Sequence, residues 1–178
     1  MDFPIHPPIG DRVKRKETLR FVTGTGRYVD DLLPPGTLHA AFVRSSCAHA
    51  RIRSVDVEAA RAMPGVRAVF TGKDVAQKLR PLRVGGSPVL GQIKLYPLAV
   101  DKIRYFGEPL AVVVADNRYL AEDAVEVVAV DFEPVPVVVD PEKAMEPDAP
   151  CIHEEVGSNI VYKYHFATDG IDQIFQDA

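Results

Sequence analysis

Cysteine is scarce in this chain of 178 residues: only Cys47 and Cys151 occur, 104 positions apart and outside any C-x-x-C pair. This scarcity excludes a disulfide-stapled scaffold, and isolated thiols are typical of a reducing compartment. Long apolar runs are missing too, because no stretch approaches the roughly 20 apolar residues of a membrane span and the N-terminus has no signal-peptide core. We therefore expect a cytoplasmic protein that contacts no membrane.

An excess of positive charge is also absent. The chain has 21 Lys and Arg residues against 25 Asp and Glu residues, a formal net charge of −4. Without a basic field the chain does not attract a phosphate backbone, so we expect no nucleic-acid partner. What is present, 47% hydrophobic and 26% charged residues, is typical of a folded globular protein of one domain or two small ones.

Two glycine-containing segments are incomplete as nucleotide loops. A dinucleotide fingerprint starting at Gly24–Gly26 would need a third glycine where Val29 stands. At Gly72–Asp74, a P-loop would need Ser or Thr in place of Asp74 and a glycine five residues earlier. We predict a glycine-rich turn at the first segment and a strand end followed by a helix cap at the second.

Metal and nucleophile motifs are equally incomplete. His39, Cys47 and His49 are the only close group of soft ligands, and three ligands would suffice for a catalytic zinc, but their spacing matches no usual zinc pair. A buried thiol with hydrogen-bonded histidines is the favoured interpretation. The adjacent carboxylates Asp30–Asp31 and Glu154–Glu155 should point apart and stay solvated. With no G-x-S-x-G or H-E-x-x-H motif either, we assign no catalytic, cofactor-binding or metal-binding residue.

Hydrophobic periodicity predicts alternating strands and helices. The valine-rich run Leu110–Ala115 should be a central strand buried on both faces. Pro109 restricts Glu108 to extended values, so Gly107 should make the preceding turn with a positive φ. The remaining strands are expected at residues 38–43, 52–57, 66–70, 102–106, 128–132 and 160–166, with helices at 57–63, 73–78, 140–145 and after Asn117 and Ile171, and an irregular loop at 80–98.

Three segments are predicted along the chain. Residues 1–20, with three prolines, should form an extended N-terminal arm, and residues 21–150 the main folded domain. Residues 151–178 should hold a linker, a strand and a helix that is cut off at Ala178 after about two turns. Phe3, Ile174 and Phe175 at the two ends would be exposed. We therefore expect the front part of a longer protein.

Several motifs together resemble one known family. They are Ile9-Gly10 with Arg12-Val13, RFVTGTGRYVDD at residues 20–31, LHAAFVRS at 38–45, AHARI at 48–52, the stretch 64–75 and FGEPLAVVVA at 106–115. This pattern resembles the large, molybdenum-cofactor-binding subunits of the xanthine dehydrogenase, aldehyde oxidase and carbon monoxide dehydrogenase family. Two positions depart from it: Thr18 stands where an acidic residue is usual, and Ser46 where a proline is typical.

The resemblance implies an alpha/beta-hammerhead domain of the α+β class, with a mixed sheet and packed helices, leading to a molybdenum-cofactor domain absent from this chain. It implies an enzyme that hydroxylates a carbon or oxidises carbon monoxide with oxygen from water. The molybdenum–molybdopterin cofactor would bind in downstream domains, and iron–sulfur clusters and FAD in partner subunits, so this fragment itself would be structural and non-catalytic. The alternative is a free-standing hammerhead-fold binding or interaction module without redox activity.

Overall fold

The computed structural model describes Gly10, residues 15–82 and residues 90–176, and the chain divides into two compact units, residues 1–37 and 38–178. In the first unit, helix α1 (Thr18–Val22) is followed by a 3-10 turn at Val29–Asp31. The predicted extended arm is therefore wrong for Thr18–Arg20, which are helical, while most of it lies outside the described residues. No described residue of this unit is buried.

The second unit contains two three-stranded sheets in which every strand pair is antiparallel. The first sheet has the order β1-β5-β3 and the second β4-β2-β6. Their strands are β1 (His39–Arg44), β2 (Ala50–Asp56), β3 (Val66–Thr71), β4 (Lys102–Ile103), β5 (Pro109–Ala115) and β6 (Ala129–Pro134). The unit thus combines helices and strands as expected, but the strands form two antiparallel sheets rather than one mixed sheet.

Strand β5 lies at the centre of the first sheet, as its apolar run predicted. Ala41 of β1 and Val69 of β3 both lie opposite Val113, which is completely buried. One core cluster joins the two sheets through Val43, Ala50, Ile103, Leu110 and Ala111. The position of β5 therefore determines where both neighbouring strands and the core lie.

Two helices of this unit begin where a side chain satisfies a free backbone N–H group. Thr71 and Asp74 form a reciprocal capping box at α3 (Gly72–Lys78), which confirms the predicted strand end and cap at this segment. Asn117 accepts from the Leu120 N–H at the start of α4 (Arg118–Glu126), as predicted. The other two helices are α2 (Glu58–Arg61) and α5 (Ile171–Gln176).

The turn before β5 also matches its prediction. Gly107 has a φ of +83°, in the region that glycine adopts without strain. Its N–H donates to the carbonyl of Ser45, and the Ser45 N–H donates to the carbonyl of Glu108. This turn therefore connects the end of β1 directly to the start of β5.

Three predicted elements differ in the structure. The strand expected at 102–106 is limited to β4, and the helix expected at 140–145 is a 3-10 turn at Lys143–Met145. The strand expected at 160–166 pairs with no described strand. Of the predicted loop at 80–98, residues 83–89 lie outside the described residues. None of the described helices is long and apolar enough to cross a membrane.

The central position of β5 gives the first prediction. Val113→Asp should lower the free energy of unfolding by about 3 kcal/mol or more, because it buries a carboxylate without a partner. Val127→Asp is the control, since Val127 is exposed beyond α4. Urea unfolding of both variants measures the difference, and equal stability of the two would contradict the placement of β5.

A close backbone approach at the start of α3 gives the second testable prediction. A Cβ added to Gly72 would overlap the Ala99 carbonyl oxygen and lie 2.9 Å from Val100 Cα. Gly72→Ala should therefore cost roughly 2 kcal/mol or more, as overpacking does. Gly91→Ala is the matched control, because a Cβ there meets nothing within 4 Å. Thermal unfolding of the two variants should separate them clearly, and similar melting temperatures would refute the close approach.

Candidate functional site

A cleft of about 370 Å³, lined by both charged and apolar side chains, opens beside the turn that follows β4. Loop residues 92–101 form one wall, and the turn that contains Glu108 forms another. The charged residues that line this cleft are Lys94, Asp101, Arg104, Glu108 and Glu155. Cationic and anionic groups therefore face the same space.

Arg104 occupies the centre of this group of charges. Its Nη1 donates to the Lys102 carbonyl at 2.9 Å, and its Nη2 lies 3.5 Å from an oxygen of Asp101. Its Nε is buried and has no hydrogen-bond partner among the described residues. A buried donor without a partner is costly, so this wall is suited to take up an oxygen acceptor such as water, a carbonyl or a carboxylate.

Glu108 is held by the backbone around it. Its carboxylate accepts from the Arg104 N–H, and its own N–H donates to the Ser45 hydroxyl. Burial raises the pKa of the Glu108 carboxyl, and this effect exceeds the opposing influence of the Arg104 N–H and of the Arg104 charge. Glu108 therefore holds a proton more readily than a glutamate in water.

Glu155 lies on the segment that closes the cleft from another side. Burial acts to raise the pKa of its carboxyl, but hydrogen bonds from its own backbone N–H and from His153, together with the charges of His153 and Arg104, lower it overall. The cleft thus places two carboxyls with opposite pKa shifts near one guanidinium.

The preceding residue, Glu154, turns away from the cleft towards a buried ammonium. Lys102 is almost fully buried, and its Nζ donates to the Ile152 carbonyl at 3.0 Å and to Glu154 at 3.2 Å. Arg51 donates to both oxygens of Glu154, at 2.9 and 3.1 Å. Hydrogen bonds from Lys102 and Arg51 lower the pKa of the Glu154 carboxyl. This ion-pair group ties the segment around residue 154 to the second sheet.

The adjacent carboxylates Glu154 and Glu155 make separate contacts, and all four residues of the two pairs are exposed as predicted. Glu154 is ion-paired, and Glu155 contacts His153. In the first unit, Asp31 accepts from the Tyr28 N–H at 2.8 Å and so caps a 3-10 turn. Each of these carboxylates serves a local structural purpose.

The three soft ligands do not converge. His49 is buried, and its Nδ1 donates to the Pro136 carbonyl at 2.6 Å. Burial raises the pKa of the Cys47 thiol, which packs against the core, while His39 begins β1. Among residues 10, 15–82 and 90–176, no three His, Cys, Asp or Glu side chains are placed to hold a metal ion. His49 fits the bonded-histidine interpretation, whereas Cys47 is half-buried and not buried as expected.

Sequence reasoning missed the residues that build the cleft. The sequence analysis places Arg104 in a strand and Glu108 in a turn, and it assigns Ser45 no role beyond its place in a family motif. Their function depends on contacts across more than 60 positions, such as that between Ser45 and Glu108. The one available signal was the sequence Gly-Glu-Pro at 107–109, which marks a turn that places a carboxylate at a strand start.

The opposite pKa shifts of Glu108 and Glu154 predict opposite changes in stability with pH. The lowered pKa of Glu154 means that its stabilising effect is present above the pKa of the unfolded chain and is lost as the pH falls. The raised pKa of Glu108 means that its favourable protonated state is lost as the pH rises. The melting temperature of Glu154→Gln, relative to that of the parent protein, should therefore fall as the pH increases. The melting temperature of Glu108→Gln, relative to that of the parent protein, should rise.

Melting curves recorded from pH 4 to pH 7 measure both differences, with Glu126→Gln on the exposed face of α4 as the control. Parallel curves for the Glu108 and Glu154 variants would contradict the assigned environments.

Comparisons with known proteins place this architecture in context. A family model described as "Aldehyde oxidase and xanthine dehydrogenase, a/b hammerhead domain" matches residues 23–136. The carbon monoxide dehydrogenase large chain of Afipia carboxidovorans is 47% identical over 162 residues, which are 88% of this chain and 20% of that protein. The nicotine 6-hydroxylase large subunit of Paenarthrobacter nicotinovorans is 38% identical over 171 residues, 96% of this chain and 21% of that protein.

A solved structure gives the same result for the fold. The Cu,Mo-CO dehydrogenase in its carbon monoxide reduced state superposes with a TM-score of 0.70 at 48% identity, covering 79% of this chain and 17% of that chain. The chain thus spans about a fifth of the length of the curated relatives that it matches.

Proposed function

This chain belongs to the aldehyde oxidase and xanthine dehydrogenase family, and from that membership we propose that it is the hammerhead-bearing part of the large subunit of a molybdenum-dependent hydroxylase. The membership confirms the expected α+β hammerhead fold. The single observation that carries the proposal is the 47% identity to a carbon monoxide dehydrogenase large chain across 88% of this chain. The whole enzyme would oxidise its substrate with oxygen derived from water.

Within that enzyme, residues 38–150 would act as a rigid structural wall. Two antiparallel sheets share one core, and the Ser45–Glu108 contacts and the Lys102–Glu154 ion pair fix the connecting segments. These polar groups hold the backbone in place, and this supports a structural role. We propose that this part of the subunit makes a non-catalytic contribution, and that arrangement supports the proposal.

We place the molybdenum–molybdopterin cofactor in a downstream part of the same subunit. The described residues of this chain do not fit it, because His39, Cys47 and His49 point into separate surroundings and no other ligand group converges. Iron–sulfur and FAD subunits would be the partners that receive the electrons. The free thiols of Cys47 and Cys151 support a reducing, cytoplasmic location.

The test compares two polypeptides. The full polypeptide encoded by the gene, produced with its partner subunits, should contain stoichiometric molybdenum by elemental analysis and oxidise carbon monoxide or an N-heterocycle. Residues 1–178 produced alone should contain no molybdenum, because the described part of the chain holds no ligand set and the sequence has no complete phosphate-binding loop. Stoichiometric molybdenum in the short chain, or its absence from the full complex, would overturn the proposal.

A further inference from the structure

The first sheet has an unpaired edge. Its order is β1-β5-β3, so β1 (His39–Arg44) pairs with β5 on one side, and no described strand pairs with its other side. An unpaired edge is a template for another strand, and proteins usually block it with lysine, proline or an inward-pointing charge. Residues 39–43, with the sequence HAAFV, contain no lysine, proline or carboxylate. This edge is therefore open to pairing.

The hydrogen bonds of β5 show which backbone groups of β1 point outward. Asp116, directly after β5, donates its N–H to the Gly65 carbonyl on the β3 side. Because successive residues of a strand direct their backbone groups to opposite sides, the alternate residues Ala115, Val113 and Ala111 face β1, where their opposite residues are His39, Ala41 and Val43. The N–H and C=O groups of Ala40 and Phe42 therefore point away from the sheet.

A groove of about 780 Å³ follows this edge. One wall is β1 and the other is α4, which contributes Arg118, Glu122, Val125 and Glu126. Only two residues separate β5 from α4, so α4 runs back along β5 in the same direction as β1. The basic end of the α4 wall therefore lies near the start of β1, and its acidic end lies near the end of β1.

We propose that this edge is a self-association surface, at which β1 of a second copy of the chain adds antiparallel to β1 and joins two three-stranded sheets into one of six strands. This inference concerns a face that the proposed function does not use. The regular part of β1 is residues 39–43, because its register with β5 shifts between Val43 and Arg44. A two-fold axis at Ala41, the midpoint, pairs Ala40 with Phe42 of the second copy. These are the two residues whose backbone groups point outward.

The side chains are complementary in size in this register. Phe42 is 45% exposed, and its ring would lie beside the small side chain of Ala40 in the second copy. Ala41 would lie opposite its own symmetry mate, and two methyl groups allow the Cβ separation of about 4.5–5.5 Å that opposite residues adopt. The Arg44 guanidinium lies over the Phe42 ring, 5.6 Å from its centroid, and so stays on the same face as that ring.

The charges of the groove are also complementary to themselves. Because α4 runs along β1, the two α4 helices would be antiparallel across the axis. Arg118 of each copy would then face Glu126 of the other, as an isologous interface requires. Near the axis the two Glu122 carboxylates would approach, and each is already paired with Arg118 of its own helix at 2.8 Å. A second copy therefore supplies opposite charge at both ends of the groove.

Cysteine cross-linking in the full polypeptide, purified with its partner subunits, tests the register. Ala41→Cys should give a disulfide-linked dimer of the polypeptide under mild oxidation. Opposite residues of a non-hydrogen-bonded pair have Cα atoms about 4.5 Å apart, which a disulfide spans. Ala40→Cys is the matched control, because the two copies of residue 40 would be diagonal neighbours about 7–8 Å apart, beyond that reach.

Ala129→Cys, at an exposed alanine of the edge strand β6, measures random collision. The dimer yield of Ala41→Cys should exceed that of both controls roughly tenfold, since only its geometry permits the bond. A yield no higher than that of either control would overturn the proposal.

Hydrogen exchange in the same complex tests the backbone pairing. The amides of Ala40 and Phe42 should be protected in the parent protein. Lysine blocks an edge strand, so Phe42→Lys should speed exchange at Ala40 roughly tenfold or more and leave Ala41 and Val43, which bond to β5, unchanged. Val139→Lys, at a residue that is 86% exposed, is the control. Fast exchange at Ala40 in the parent protein, or the same exchange rate in Phe42→Lys, would overturn the pairing.

A photo-cross-link identifies the occupant of the edge. Benzoylphenylalanine in place of Phe42 should cross-link to residues 38–44 of a second copy. A cross-link to a partner subunit, or to another segment of the same polypeptide, would overturn the proposal. The alanine-to-cysteine variants change little in the fold, so the cross-linking test remains decisive even where Phe42→Lys fails to fold.

Discussion

The burial of one strand organises the larger unit of this protein. Strand β5 is paired on both sides, and Leu110, Ala111, Val113 and Ala115 are almost completely removed from solvent. Because backbone polar groups on a buried strand must be paired, β1 and β3 are required on its two edges. Helix α4 then packs on β1 and β5, and the side chains of Leu110 and Ala111 join the core of the second sheet. Displacing β5 would expose both sheets.

The turn that leads into β5 positions polar residues beside the hydrophobic core. Gly107 reverses the chain, and Glu108 is thereby drawn against the end of β1, where Ser45 meets its backbone. The same turn brings the Glu108 carboxyl beside Arg104, in surroundings that favour its protonated form. The cleft and its unpartnered guanidinium Nε therefore depend on the packing of the strand.

The polar and the apolar side chains in the last part of the chain differ in whether they have partners. Hydrogen bonds and ion pairs of Lys102, Arg51 and Glu154 hold the segment that follows the second sheet against that sheet. All of these contacts lie within the same unit. The aromatic residues from Tyr162 onward have no comparable partner among the described residues and remain exposed.

Local sequence patterns determined those elements whose signals lie within a few residues: the valine run of β5, the Asn117 and Thr71 caps, the positive φ of Gly107 and the motifs that reveal the family. Only the tertiary structure decided how strands were shared between two sheets, since pairing depends on partners up to 84 positions apart, such as Ala50 and Pro134. It also decided that Glu154 is ion-paired and that Arg104 and Glu108 share a cleft. The alternation at residues 160–166 predicted a strand, and the structure assigns none to these residues, because alternation describes only the faces that a strand would have. Whether a strand joins a sheet depends on a neighbouring backbone, and that information is not present in the segment itself.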